Sequence, residues 1–211
     1  MTVAALVLAG GGSSRLGRPK QLLRWGEATL LDHVLHQVRR WGIEEIWVVL
    51  GAHADAVREQ VDLTAVGVVE NPEWEEGLAS SLRAGLDAMA RLSKVDGALI
   101  VMGDQPDVSD EAVAEVVAAY RPGKTPAVVP KYRYTRGNPV LVDRLLWPRL
   151  MSLEGDEGAR RLLDAHPDWV TEVWLGIRPP RDVDTSFDVE ELQPRQVRLD
   201  ADDERTRRGG V

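Results

Sequence analysis

At 211 residues the chain lies within the size one hydrophobic core can organise, where folding removes roughly 70% of the unfolded surface from water. Its 44% hydrophobic and 28% charged residues exclude collagen-like, low-complexity and wholly disordered readings, and the absence of cysteine excludes disulfides, thiolate metal sites and a cysteine nucleophile. The net charge of -8, from 26 Lys plus Arg against 34 Asp plus Glu, leaves no broad basic field for nucleic acid or a membrane surface.

Apolar runs of strand length at residues 3–9, 45–50, 65–69, 98–102, 127–130 and 170–175 alternate with segments of i, i+3, i+4 spacing at 30–41, 54–61, 78–92, 111–120 and 158–165. Thr29, Ser109 and Asp156 mark helix starts. The run Ala98-Leu99-Ile100-Val101 is apolar on both faces, as in a strand covered by helices on either side. The pattern predicts an α/β layered, Rossmann-like fold with a mostly parallel central sheet flanked by helices, in which ligands gather at the carboxyl ends of the strands. No linker divides the chain before about residue 190, so one domain over residues 1–194 is expected, and the charged segment 195–211 is expected to be a disordered tail. No run approaches the ~20 apolar residues of a membrane span and residues 1–9 lack a secretory leader, so a cytoplasmic protein is expected.

Directly after the first run comes Leu8-Ala9-Gly10-Gly11-Gly12-Ser13-Ser14-Arg15-Leu16-Gly17-Arg18-Pro19-Lys20. Three consecutive glycines let backbone N–H groups turn inward on a phosphate, and Arg15 and Lys20 add positive charge. Only four lysines stand against 22 arginines, so Lys20 departs from the chain's own usage, as suits a compact ammonium meeting a phosphate. The Walker pattern fails because Gly17 is followed by Arg18-Pro19, and the third glycine of a dinucleotide fingerprint falls on Arg15. A plain glycine-rich turn explains the glycines but not the cations.

Further on, Met102-Gly103-Asp104-Gln105-Pro106 sets a carboxylate at the end of an apolar strand, where it suits Mg²⁺ on a triphosphate or, more simply, a turn. Asp182-Val183-Asp184-Thr185-Ser186-Phe187-Asp188 offers a second cluster: Asp182 or Asp184 can complete a metal site, while Thr185 or Ser186 followed by Asp188 also reads as a helix start. The four histidines show no metal-ligand spacing. Trp25, Trp41, Trp47, Trp147, Trp169 and Trp174 fall in or beside core elements and are read as packing, whereas Trp74 lies in a loop beside a helix start and is a candidate stacking surface. The segment 131–136, cationic and aromatic, reads either as an anion contact or as an exposed hairpin.

Taken in order, Leu-Ala-Gly-Gly-Gly-x-Ser-x-Arg-Leu-Gly-x-Pro-Lys at 8–20, Gly-Asp-Gln-Pro at 103–106 and Asp-Val-Asp-Thr at 182–185 resemble the MobA-like NTP transferases, with Asn71-Pro72-x-Trp74-x-x-Gly77, Ser80-Ser81, Gly137-Asn138-Pro139-Val140 and Gly155-Asp156-Glu157-Gly158 similar to the molybdenum cofactor cytidylyltransferase branch. The resemblance covers about residues 3–190 and implies a fold like that of the nucleotide-diphospho-sugar transferases. It implies CMP transfer from CTP to the terminal phosphate of molybdopterin cofactor, with Mg²⁺ and release of pyrophosphate. Two positions differ from that branch: the loop reads Leu-Ala-Gly-Gly, as in guanylyltransferases, and Asn138 stands where His is usual. On the resemblance, Leu8, Ala9, Gly10, Gly11 and Gly12 surround the nucleotide, Arg15 and Lys20 meet its phosphates, Asn71, Ser80 and Ser81 lie toward the base, and Asp104 and Asp184 hold the metal, with Arg15, Lys20 and Asp104 catalytic. The implied partners are small molecules, an NTP and a phosphate-bearing acceptor, with a transient molybdoenzyme or chaperone contact. Other readings are GMP transfer, transfer to another phosphate acceptor, or a nucleotide- or cofactor-binding chaperone without turnover.

Overall fold

A computed structural model describes residues 1–13, 16–43 and 45–193, without the side chain of Ser186. In chain order its elements are β1 (Val3–Ala9), the short strands β2 (Arg24–Trp25) and β3 (Ala28–Thr29), α1 (Leu30–Arg40), β4 (Glu45–Leu50), α2 (Ala54–Gln60), β5 (Gly67–Glu70), α3 (Leu78–Leu92) and β6 (Gly97–Met102). There follow α4 (Asp110–Ala119), β7 (Ala127–Tyr132), β8 (Thr135–Arg136), β9 (Val140–Asp143), α5 (Trp147–Leu150), α6 (Ala159–Ala165), β10 (Val170–Leu175) and α7 (Ser186–Leu192). The main sheet runs β10-β7-β9-β6-β1-β4-β5, with β8 added to β7. The pairs of β1 with β4 and β6, of β4 with β5 and of β7 with β10 are parallel, while β9 runs against both neighbours. The segment 195–211 expected to be a tail lies outside the described residues.

Every residue of β1 is buried, and the alternation of a strand's side chains divides them between two cores. Ala5, Val7 and Ala9 join Leu31, Leu35 and Val38 of α1 and Val113 and Val116 of α4 on one face. Ala4, Leu6 and Leu8 join Leu82, Leu86 and Met89 of α3 with Trp147 and Leu150 of α5 on the other. This double covering is why the strands read as continuous apolar runs. The two layers press close: a Cβ at Gly85 of α3 would lie 2.6 Å from Leu6 Cδ1.

The predicted elements recur with local differences. The strand predicted over 65–69, β5, begins at Gly67 rather than at 65, because Ala65 takes φ 58° in a turn closed by Val66 N–H donating to Leu63 O. Strand β7 continues past Pro130 to Tyr132, supported by β10 and β8. Thr29 caps α1 in a reciprocal box with Asp32, whereas Ser109 caps α4 without a side-chain bond and α6 starts from Gly158 rather than Asp156. Of the tryptophans read as packing, Trp25 and Trp147 are buried, but Trp174 on edge strand β10 is 66% exposed, with the Lys131 ammonium over its ring. Among the described residues no helix is long and apolar enough to cross a membrane.

Candidate nucleotide site

Because β1, β4, β5 and β6 run parallel, the segments that follow them emerge on one edge of the sheet. There the glycine loop follows Ala9, Gly51 follows Leu50, Asn71 follows Glu70 and Gly103-Asp104 follow Met102. Ala52 N–H donates to Gly10 O at 3.2 Å, Asn71 N–H to Leu50 O at 2.8 Å and Gly103 N–H to Leu8 O at 2.9 Å.

The loop is anchored by a residue that sequence reasoning passed over. Gln21 sits in a short 3-10 turn, Lys20–Leu22, is buried, and donates from Nε2 to Ala9 O at 2.7 Å and Gly11 O at 3.0 Å. Two carbonyls that would repel a phosphate are thereby occupied. The available signal was a lone amide between Lys20 and the apolar pair Leu22-Leu23. Lys20 N–H donates to Ser13 Oγ at 2.9 Å, so the lysine is fixed to the loop at its backbone.

The Lys20 ammonium joins the two distant carboxylates, donating to Asp104 Oδ2 at 2.6 Å and to Asp184 Oδ1 at 3.0 Å. Two oxygens bonded to one nitrogen lie within about 6 Å of each other, inside the about 8 Å beyond which a shared ion is out of reach. Burial pulls the Lys20 ammonium down, but Asp104 and Asp184 together outweigh it and hold its pKa above the ordinary lysine value. Asp104 is raised because burial, with Asp182 and Asp184 nearby, outweighs the pull of Lys20. Its second oxygen, Oδ1, is buried with no hydrogen-bond partner among the described residues.

What carries Asp184 to this place is apolar packing. Val183, fully buried, joins Leu23, Trp25 and Leu30 in a small cluster edged by Val189 and Leu192 of α7, and Val183 N–H donates to Asp104 O at 2.9 Å. Thr185 then caps α7 in a box with Asp188, so the helix-start reading of 185–188 holds beside the carboxylate cluster. Asp182 faces elsewhere, accepting from Gln105 Nε2 at 2.7 Å, while Gln105 Oε1 accepts from Asn138 Nδ2 at 3.0 Å. That amide chain edges a cavity of about 460 Å³ floored by Leu8, Leu82, Ile100, Met102 and Val140. Arg136 at its rim is paired with Glu172 and Asp164.

The other expected residues are placed as follows. Asn71, Ser80 and Ser81 are buried and tied to one another, Asn71 Nδ2 donating to Ser80 Oγ at 2.8 Å and Ser81 Oγ at 3.1 Å. They lie beneath the loop, since a Cβ at Gly10 would come 2.7 Å from Ser81 Oγ. A Cβ at Gly12 would meet the Trp74 indole at 2.8 Å, which puts that ring against the loop. Arg15 lies outside the described residues. Residues 131–136 form the β7–β8 hairpin, with Tyr134 93% exposed. Among the described residues no three His, Cys, Asp or Glu side chains form a ready metal cage.

A mostly parallel α/β sheet thus carries a glycine loop, an anchored lysine and two carboxylates at the edge where such sheets gather ligands. The model of the MobA-like NTP transferase domain matches residues 5–170, and the chain belongs to that family. It is 34% identical over 179 residues to nicotine blue oxidoreductase of Paenarthrobacter nicotinovorans, covering 81% of this chain and 85% of that protein. It is 34% identical to a probable molybdenum cofactor guanylyltransferase of Bacillus mycoides (60% of each chain) and 23% identical to the molybdenum cofactor cytidylyltransferase of Escherichia coli (67% of this chain, 70% of the other). Among solved structures, the Mycobacterium sp. strain JC1 homologue of Rv0371c is 35% identical, with TM-score 0.81 over 94% of this chain and 98% of its own. Rv0371c of Mycobacterium tuberculosis, in complex with manganese, is 30% identical with TM-score 0.75 over 92% and 98%.

Proposed function

We propose that this nucleotidyltransferase moves CMP from CTP to the terminal phosphate of molybdopterin cofactor in the cytoplasm, releasing pyrophosphate with the help of Mg²⁺. The observation that carries the reading is the meeting of Asp104 and Asp184 on one ammonium at the mouth of the glycine loop. The donors are hard oxygens, and the buried, unpartnered Oδ1 of Asp104 is a ligand position in waiting, so the residues fit a divalent ion. Asp104 and Asp184 would hold it, and its chemistry would be to offset the charge of the phosphate oxygens as the two anions approach. The loop at Gly10, Gly11 and Gly12 receives the triphosphate, Lys20 stays within reach of its oxygens, and Gln21 keeps the Ala9 and Gly11 carbonyls turned to itself. An acceptor phosphate is its own nucleophile, so a protein base is not required. The cavity edged by Gln105 and Asn138 receives the acceptor ring. Trp74 narrows the space above Gly12, which favours a pyrimidine over a purine.

The relative named nicotine blue oxidoreductase supports a second reading, in which the same apolar cavity takes a heteroaromatic ring for reduction by a hydride-donating co-substrate that is itself oxidised. The carboxylate pair favours transfer, since ring reduction has no use for two acids around one cation. The test is pyrophosphate release with each of the four NTPs, Mg²⁺ and molybdopterin cofactor. CTP is expected to give the highest kcat/KM; a GTP preference moves the chain to guanylyl transfer, and no release with any NTP overturns the proposal.

A further inference from the structure

We infer that Lys20 makes divalent-metal binding conditional on nucleotide: without a triphosphate its ammonium holds the position between Asp104 and Asp184, and phosphate oxygens draw it away. The inference rests on the proposal that these two carboxylates are the metal ligands, and adds how their occupancy is controlled. The ammonium is not a distant counter-ion, for it bonds one oxygen of each acid at 2.6 and 3.0 Å. An ammonium and a dication on the same two oxygens repel at contact range, so each excludes the other. A dication arriving alone must break two charge-assisted bonds at a partly buried site before it gains its ligands. A triphosphate changes this, because it offers the ammonium new anionic partners beside the loop to which the Lys20 backbone is already bonded through Ser13. The four-carbon stem lets the head move while the backbone stays. Metal and nucleotide therefore enter as a coupled pair, each raising the affinity of the other by the same factor.

The full chain is titrated with Mn²⁺, followed by the electron paramagnetic resonance signal of the free ion, with and without a CTP analogue bridged by methylene between the α and β phosphates. Mn²⁺ held by the analogue in solution is subtracted. The wild type is expected to bind Mn²⁺ weakly alone and on the order of tenfold or more tightly with the analogue. Lys20→Met, which keeps an unbranched chain one atom shorter and loses the charge, is expected to bind Mn²⁺ alone on the order of tenfold or more tightly than the wild type, and to gain melting temperature from Mn²⁺ without nucleotide. Lys20→Arg, which keeps the charge, is expected to retain the weak metal-only binding. Folded Lys20→Met that binds Mn²⁺ no better than the wild type overturns the inference. So does a wild type with equal affinity in the presence and absence of analogue, a measurement that needs no variant; in both cases the metal assignment stands. Failure of every protein to bind Mn²⁺ even with analogue overturns the metal assignment itself.

Discussion

Replacing Gly11 by valine separates a ligand cradle from a structural turn, because the fold leaves that position open. A Cβ at Gly11 would have no atom of the described residues within 4 Å, and its φ lies outside the left-handed region, whereas Gly10 and Gly12 would run into Ser81 and Trp74. An exposed substitution of this kind changes stability by within about 0.5 kcal/mol. For a chain of this size that is a melting shift of about 1–2 °C. A phosphate lying on the loop loses at least one charge-assisted hydrogen bond to the intruding side chain, about 1.5–3 kcal/mol. Affinity for CTP then falls about 10- to 150-fold. Isothermal titration of CTP with Mg²⁺, beside a thermal melt followed by circular dichroism, reads both quantities on one preparation. A Gly11→Val protein that melts like the wild type and binds CTP with unchanged affinity refutes the cradle, since none of the described residues competes for that space.

Other consequences are open to direct measurement. Asp104→Asn keeps the shape of the side chain and removes a carboxylate proposed to hold the metal, so turnover in the pyrophosphate assay should fall on the order of 100-fold with CTP affinity little changed; equal losses in both would mean that Asp104 serves binding alone. Tyr120 is fully buried, with its hydroxyl 2.8 Å from both Asp96 O and Asp143 Oδ2, and burial with Asp143 holds its pKa far above the ordinary phenol value. Tyr120→Phe should cost about 2 kcal/mol, seen as a melting drop of about 4–8 °C. His33 bonds Pro106 O at 3.1 Å, and burial, with His36 and Arg40 adding to it, lowers its pKa below 6.5. The unfolded chain then takes up the proton at the higher pH, so stability is lost as pH falls through about 6.5 toward the folded value. Urea unfolding across that interval should show the loss in the wild type and a flatter profile in His33→Gln; identical profiles would remove His33 as the cause.

Much of this protein is written in short stretches of its sequence. The apolar runs of β1 and β6 reveal covered strands because a strand packed on both faces has no polar alternation, and the capping box at Thr29 and Asp32 uses residues three apart. The glycine loop and Lys20 stand within thirteen residues of one another at the end of β1, where a parallel sheet puts its ligands. Other features needed the folded chain. The reversed strand β9 is only four residues long, and its direction comes from pairing with β6 and β7 rather than from its own pattern. Asn71, Ser80 and Ser81 are polar in the sequence, yet the fold buries them as a mutually bonded group beneath Gly10. The choice between Asp182 and Asp184 was equally beyond local pattern, since both acids flank the same valine. Burying Val183 against Leu23, Trp25 and Leu30 brings Asp184 to Lys20, while Asp182 meets Gln105. Propensity and periodicity act between neighbours and so are legible residue by residue; the meeting of Lys20, Asp104 and Asp184 depends on apolar contacts across more than 160 residues of chain, which only the packed structure can specify.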